Sequence, residues 1–433
     1  MMNAPNPNFK NPTAQNADLK KPGHFAKRDY GMFNPTTTKI ADMLGQFMTG
    51  RQVSPTDAQY DEFARMTLEG DPTADAVVEW FRDVSFPKGR AILQKALDEG
   101  IDAIDDPHPA LINLFKEIDT EPFWLDRDLL EIATRAIHRT GPLGLIVLGD
   151  VALMGGYAIS SVMNKSLVFT GALETGAEKR LAETASWWLD ATATDGLTRF
   201  GAGTKTTVMV RVMHAMVRAR LKVHPEWDFE ELGMPISQAH MLATNNAFSV
   251  LFLNACGLLG VRFSKQERKA IMHLWRYAGI LMGVDPRYIS ESEVEGLRAI
   301  WLSATTQPPP DEDAVALAKG LADMRFPLAP DGPIGDLIDN GLSGARLGIT
   351  HMLGNQLYND LGLPQGKSWR WFPLALRGAV LGTETARRIT PGGTRLAERL
   401  GRQIQEGGYA VGKHEATFTP VEVLKKDREK QPA

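Results

Sequence analysis

The 433 residues carry 48 Lys and Arg against 52 Asp and Glu, a formal charge of −4, with 43% hydrophobic and 23% charged positions. That is the composition of a globular chain long enough to bury a large core, and no basic stripe marks a nucleic-acid partner. The single cysteine, Cys256 in the apolar run SVLFLNACGLL, reads as a small core residue and excludes disulfide frameworks, Cys-rich zinc sites, iron–sulfur clusters and C-x-x-C-H haem attachment within this chain.

In chain order, residues 1–38 are rich in Asn, Pro, Thr and Lys, too poor in apolar positions to pack a core, and predict an N-terminal arm. No apolar h-region follows the lysines, so no secretory or twin-arginine signal is read and the expected compartment is the cytoplasm. Helix signals then repeat. Ser54-Pro55 looks like an N-cap and first turn with Gly70 as the stop, Thr73 precedes ADAVVEWFRDV, and Asp126 precedes RDLLEIATRAIHR, which ends at Gly141. The run PLGLIVLGDVALMGGYAISSVM, residues 142–163, approaches membrane-spanning length. Asp150 in its middle would cost roughly 2.5 to 3.5 kcal/mol on insertion scales, so a buried helix is expected and no stable membrane span.

QPPPDED at 307–313 interrupts the helical pattern and is the best candidate for an internal linker or long loop. The last residues, 416–433, repeat the composition of the arm and read as a flexible tail. Period-two runs of β-branched and aromatic residues bounded by hairpin turns are nearly absent. The expected fold is all-α, with one helical domain over 39–415.

The segment RVMHAMVRAR, residues 211–220, raises a chemical question. At about 100° per residue, Arg211, His214 and Arg218 fall within about 60° of one another, Thr207 joins that face, and Arg220 points away. An imidazole flanked by two guanidiniums on a core face is expensive without partners. Either an anionic, planar cofactor lies along the face with His214 as its axial ligand, or the arginines pair with Asp or Glu on neighbouring helices around a hydrogen-bonded core histidine. A second helix, KRLAETASWWLDAT, places Arg180, Glu183, Thr184 and Trp187 on one side by i, i+3, i+4, i+7 spacing. An ordinary Arg180–Glu183 surface pair is the plain alternative there. H-E-x-x-H, E-x-x-H, G-x-S-x-G, P-loop and G-x-G-x-x-G patterns do not occur, which removes the common zinc, di-iron, hydrolase and nucleotide signatures.

Five segments in order carry a resemblance: YAISSVMNKSLVFTGAL, KRLAETASWW, RVMHAMVRAR, GMPISQAHMLATNNAFS and KAIMHLWRYAGILMGVDPRYI. Between about 150 and 290 the chain resembles the haem-dependent oxygenases that include latex-clearing rubber oxygenases and MpaB-type oxygenases. The resemblance implies a globin-like helical core around a non-covalent b-type haem, with His214 as the iron ligand. Arg211 and Arg218 would meet haem propionates or neighbouring carboxylates. Arg180 and Thr184 match an arginine and threonine that line the distal pocket in latex-clearing proteins, where a lysine stands at the position of Glu183 and an upstream glutamate at the position of Asn164 and Lys165. Glu183 would then act as a distal acid or base, hold a water, or pair with Arg180.

The activity implied is O2-dependent cleavage or oxygenation of a C=C bond in an apolar olefinic or isoprenoid molecule, of dioxygenase type. Without an export signal, a small intracellular substrate is expected rather than a polymer. The alternative is a non-catalytic haem- or lipid-binding helical protein, and a homodimer is left open. His240, read as a cap-region side chain, His273, read as core, and His351, read as helix surface, are secondary candidates. The segments at 233–242 and 247–260 are expected to pack behind the haem.

Overall fold

The computed structural model describes residues 21–29, 33–171, 177–324, 332–365 and 369–411. Among the described residues it is helical and has no strand. The chain begins with α1 (Pro35–Thr49), α2 (Asp57–Met66), α3 (Pro72–Val84), α4 (Phe86–Glu99) and α5 (Pro109–Asp119). The middle holds α6 (Arg127–His138), α7 (Pro142–Ile159), α8 (Ser161–Val168), α9 (Ala177–Ala191), α10 (Ala202–Leu221), the short α11 (Phe229–Leu232) and α12 (Gln238–Leu258). There follow α13 (Lys265–Leu281), α14 (Glu293–Thr306), α15 (Glu312–Ala322), α16 (Pro333–Thr350), α17 (Asn355–Asp360), α18 (Phe372–Ile389) and α19 (Gly393–Val411).

Local chemistry sets the helix starts, in places one or two residues from the sequence expectation. Thr56, not Ser54, caps α2, because Gln59 three residues on completes a capping box; Ser54 instead donates its hydroxyl to Asp42 at 2.6 Å. Asp71, not Thr73, caps α3, since Pro72 supplies the first helical position and the Asp71 carboxylate accepts the Ala74 amide. Asp126 caps α6 as expected.

Two helices contain π segments, Leu148–Leu153 in α7 and Ala247–Leu251 in α12, and these pack on one another. The apolar run at 142–159 is two-thirds buried in the protein. Its Asp150 is met by Arg346 of α16, whose Nε lies 3.1 Å from both carboxylate oxygens. Burial raises the Asp150 pKa, and the Arg346 charge and hydrogen bond oppose that rise.

The largest apolar cluster joins α6, α7, α9 and α12 through α17. A second joins α3, α4 and α5 to α10 through Val208, Val212 and Ala215. The 307–313 stretch is no free linker: Ser161 donates to the Pro308 carbonyl, Lys165 pairs with Asp311 and Asp313, and Leu317 and Leu321 beyond it sit in the same cluster as Leu129. Cys256 lies fully buried there.

Within the 1–38 stretch, residues 21–29 lie against the body, with Gly23 and His24 amides on the carbonyls of Glu230 and Glu231 and Arg28 N on Thr305 O. Helix α1 already begins at Pro35, capped by Asn34. Residues 1–20 and the predicted tail at 416–433 lie outside the described residues.

Candidate functional site

The site is built on the α9–α10 hairpin. At its closed end a Cβ on Gly203 would lie 2.6 Å from the Ala191 Cα and the Asp190 carbonyl, so only glycine allows the helices to meet there. One turn further, Trp187 Nε1 donates to Thr207 Oγ1 at 2.9 Å. These two pairs fix an antiparallel register that brings Arg180 level with His214. Around Trp187 the walls are aromatic: its ring sits 5.0 Å from Phe248 and 5.6 Å from Trp275.

His214 keeps part of its accessible surface although it sits deep in the protein. Its Nδ1 is buried without a partner, and among the described residues no hydrogen bond reaches the ring. Burial, followed by the charge of Arg218, pushes its pKa down to about 4, against the pull of Asp71. A neutral imidazole with unshared lone-pair capacity fits the role of a metal ligand.

Of the two kinds of partner expected for the arginines, the structure supplies carboxylates. Arg211 donates Nε and Nη2 to Asp71 at 2.7 and 3.0 Å, and Nη2 also to Glu117 at 2.7 Å. Arg218 reaches Asp75 at 2.7 Å and the Ile236 carbonyl at 3.1 Å. Burial alone would raise the Asp71 pKa, but Arg211, then Arg218 and the Ala74 amide, hold it below the usual carboxylate range. Gly283, at φ +92°, lets the backbone approach this pair: a Cβ there would stand 2.3 Å from the Asp71 carboxylate. Gln238 ties the hub together by donating to the carbonyls of Gly70 and Gly283. Through these bonds Arg211 and Arg218 anchor α10 against α3, which is the second of the two partners expected for them, neighbouring carboxylates.

On α9, Arg180, Glu183 and Thr184 share the helix face expected of them, and each is half-buried. The ion pair of Glu183 is with Lys179 at 3.9 Å rather than with Arg180. Burial raises the Glu183 pKa, opposed by Lys179 and Arg180. Asn164 is fully buried, donating to the Tyr157 carbonyl at 3.0 Å while its Oδ1 finds no partner; Lys165 is consumed by Asp311 and Asp313.

The secondary histidines are placed differently from the sequence reading. His240 follows the Ser237 cap of α12, but its ring is buried with both nitrogens unpartnered. His273 is half-buried, and its Nε2 accepts the Asp126 amide at the start of α6. His351 stacks on Tyr358 at 3.6 Å. Sequence reasoning missed Asp71, Glu117, Gln238 and Gly283. Only the Asp-Pro step at 71–72, itself a helix-start signal, could have pointed to the first.

This helical architecture, with an inward imidazole on one arm of a hairpin, belongs to a defined class. Residues 146–383, more than half of the chain, match the family described as ER-bound oxygenase mpaB/B′/rubber oxygenase, catalytic domain, and the chain belongs to that family. A rubber oxygenase of Streptomyces sp. (strain K30) is 25% identical over 264 residues, 60% of this chain and 63% of that protein. The match thus spans less than two thirds of that relative's length. The solved structure of latex clearing protein LCP in the closed state is similar in fold, with a TM-score of 0.56 and 21% identity over 79% of this chain and 91% of that one.

Proposed function

We propose that this chain is a haem b-dependent oxygenase acting with O2 on an apolar olefinic or isoprenoid molecule. The observation that carries the reading is His214, a neutral imidazole deep in the protein with no hydrogen-bond partner among the described residues. Bound haem would supply the activation of O2, and the protein would supply an iron ligand, apolar surroundings and nearby polar groups.

His214 would hold the iron, and the Asp71–Arg211 and Asp75–Arg218 pairs keep α10 from shifting along its axis. Arg180, which forms no ion pair among the described residues, is the cation on this face available to an anionic group. The apolar wall of Trp187, Phe248 and Trp275 excludes water and fits an alkene. Glu183, with its raised pKa, keeps a proton more readily than an exposed carboxylate and would hold it at Oε for donation near the substrate. Thr184 offers a hydroxyl one residue away. With Glu183 and Asn164 standing where latex-clearing proteins carry a lysine and a glutamate, the reading favours a small substrate over a polymer.

The test is a visible spectrum of the purified protein, oxidised and dithionite-reduced, with a pyridine haemochrome assay on wild type and His214→Ala. A Soret band near one haem per chain in the wild type and lost in the variant is expected, followed by O2 uptake with an olefinic terpenoid. Full haem content in His214→Ala would remove the ligand assignment. Haem binding without O2 uptake across an alkene panel would favour the non-catalytic haem-binding alternative.

A further inference from the structure

Helices α18 and α19 form a hairpin whose outer side is apolar. Of the 18 residues of α18 only Glu384 is buried, and Trp371 before its first turn, Leu374 and Ile389 stand exposed. On α19 the exposed apolar side chains recur every fourth residue, Leu396, Leu400 and Ile404, which makes one continuous stripe on a helix. The inner side of α19 is fixed. A Cβ on Gly401 would overlap the His138 carbonyl, so glycine lets α19 lie this close to the end of α6. Gln405 donates to the carbonyls of Ile137 and Gly141 at 3.2 and 3.1 Å. Helix α18 is held through Leu376 and Val380, which pack on the main apolar cluster. The stripe on α19 therefore has no route inward.

Charge decides what fits on this face. Between positions 369 and 411 seven arginines stand against three glutamates, although the whole chain carries −4. Arg387 and Arg402 are paired with Glu384 and Glu406. The other five, Arg370, Arg377, Arg388, Arg395 and Arg399, are exposed and make no ion pair among the described residues. Arg377 and Arg388 donate only to backbone carbonyls, those of Leu258 and Arg262. Arg395 and Arg399 each stand one residue before a leucine of the stripe, so a cationic row runs beside the apolar one.

A second copy packed on this face would set arginines against arginines, with the half-buried Glu398 as the one carboxylate of the hairpin left to answer them. A bilayer of anionic phospholipid meets both needs, because acyl chains accept the stripe and headgroup phosphates accept the guanidiniums. Exposed Trp371 suits the boundary between the two. Among the described residues, the helices long and apolar enough to cross a membrane are α7 and α12, so this hairpin would lie in the plane of the surface. We propose that the outer side of the α18–α19 hairpin docks on an anionic phospholipid bilayer, with Leu396, Leu400 and Ile404 in the acyl boundary and Arg395 and Arg399 on lipid phosphates. This surface is independent of whether His214 holds haem.

The experiment is co-sedimentation of the full-length protein with sucrose-loaded phosphatidylcholine vesicles, with and without about one third phosphatidylserine, at low ionic strength. Saturable binding to the phosphatidylserine vesicles is expected, weakening as salt is raised, with little binding to phosphatidylcholine alone. Arg395→Gln and Arg399→Gln should each lower the affinity about fivefold, whereas Arg395→Lys should retain it. Leu400→Gln, which takes apolar surface out of the bilayer, should lower it about tenfold or more. All three positions are exposed, so the far-UV circular dichroism spectrum should stay unchanged. No sedimentation with phosphatidylserine vesicles would overturn the proposal. Undiminished binding by Leu400→Gln would also overturn it, by reducing the face to general charge attraction. A dimer of the free protein in sedimentation velocity, dissociated by Leu400→Gln, would overturn it by giving the face to a second copy.

Discussion

Replacing Asp71 by Ala removes the buried half of the pair that holds the His214 helix. Arg211 and Asp71 are each only 4% exposed at the side chain, so the guanidinium left behind has no route to water. Stranding one partner of a buried pair costs about 3 to 5 kcal/mol. Glu117, 48% exposed, still accepts one hydrogen bond from Arg211, which places the loss at the lower end of that range. The Asp71 carboxylate also caps α3 through the Ala74 amide, and losing a cap adds about 1 kcal/mol. The expected destabilisation is therefore about 4 kcal/mol, read as a fall in the urea midpoint followed by circular dichroism at pH 7.5. Asp71→Asn, which keeps an acceptor for the cap, should lose about half as much. The double variant Asp71→Ala, Arg211→Met should recover stability relative to Asp71→Ala alone, because no buried charge is then stranded. A loss below about 1 kcal/mol in Asp71→Ala, or a double variant as costly as the sum of its parts, would refute the hub as described.

Two buried histidines make stability depend on pH. Burial, then Arg402, pushes His138 down to about 4, and burial, then His24, pushes His240 down to about 3. Between these values and the unfolded value near 6.5 the unfolded chain takes up protons that the fold refuses. The stabilisation is complete above about pH 7 and is lost as pH falls through that window, by about 2 kcal/mol per histidine at pH 5. His240→Met, which sacrifices no hydrogen bond because neither ring nitrogen makes one, should show a drop about 2 kcal/mol smaller between pH 7.5 and 5; matching pH slopes would contradict this. Gly203→Ala ought to gain about 1 kcal/mol from helix propensity alone. The approach of its Cβ to the Ala191 and Asp190 backbone instead predicts a loss of about 1 to 3 kcal/mol, and a stabilised variant would show that the hairpin opens freely.

The helical class was legible because it rests on local signals: caps, periodicity and the lack of alternating strands. Asp126 was found by the same logic. The misplaced starts at Ser54 and Thr73 lay within two residues of true caps, where the deciding contacts are the Gln59 capping box and Pro72. The face of His214 was legible from helical spacing, but the partners of its arginines were not, since Asp71 stands 140 residues from Arg211 and Glu117 stands 94. Likewise the difference between a capping His240 and a buried one depends on which neighbours close over it. The sequence left 307–313 as either a linker or a long loop for the same reason: proline spacing is local, and the salt bridges from Lys165 that fasten the loop span nearly 150 positions.

The facing π segments of α7 and α12 bear on how the family's sequences can change length. A π turn accommodates one more residue than the α-helical turn it interrupts, so the two halves of each helix are out of phase by one position. Losing a single residue within Leu148–Leu153 would therefore return that turn to regular winding with both halves left in place, whereas losing one elsewhere in α7 would turn everything beyond it by about 100° and take the apolar stripe facing α12 out of its groove. Changes of length that surface loops absorb are thus confined, within these two buried helices, to the π turns themselves.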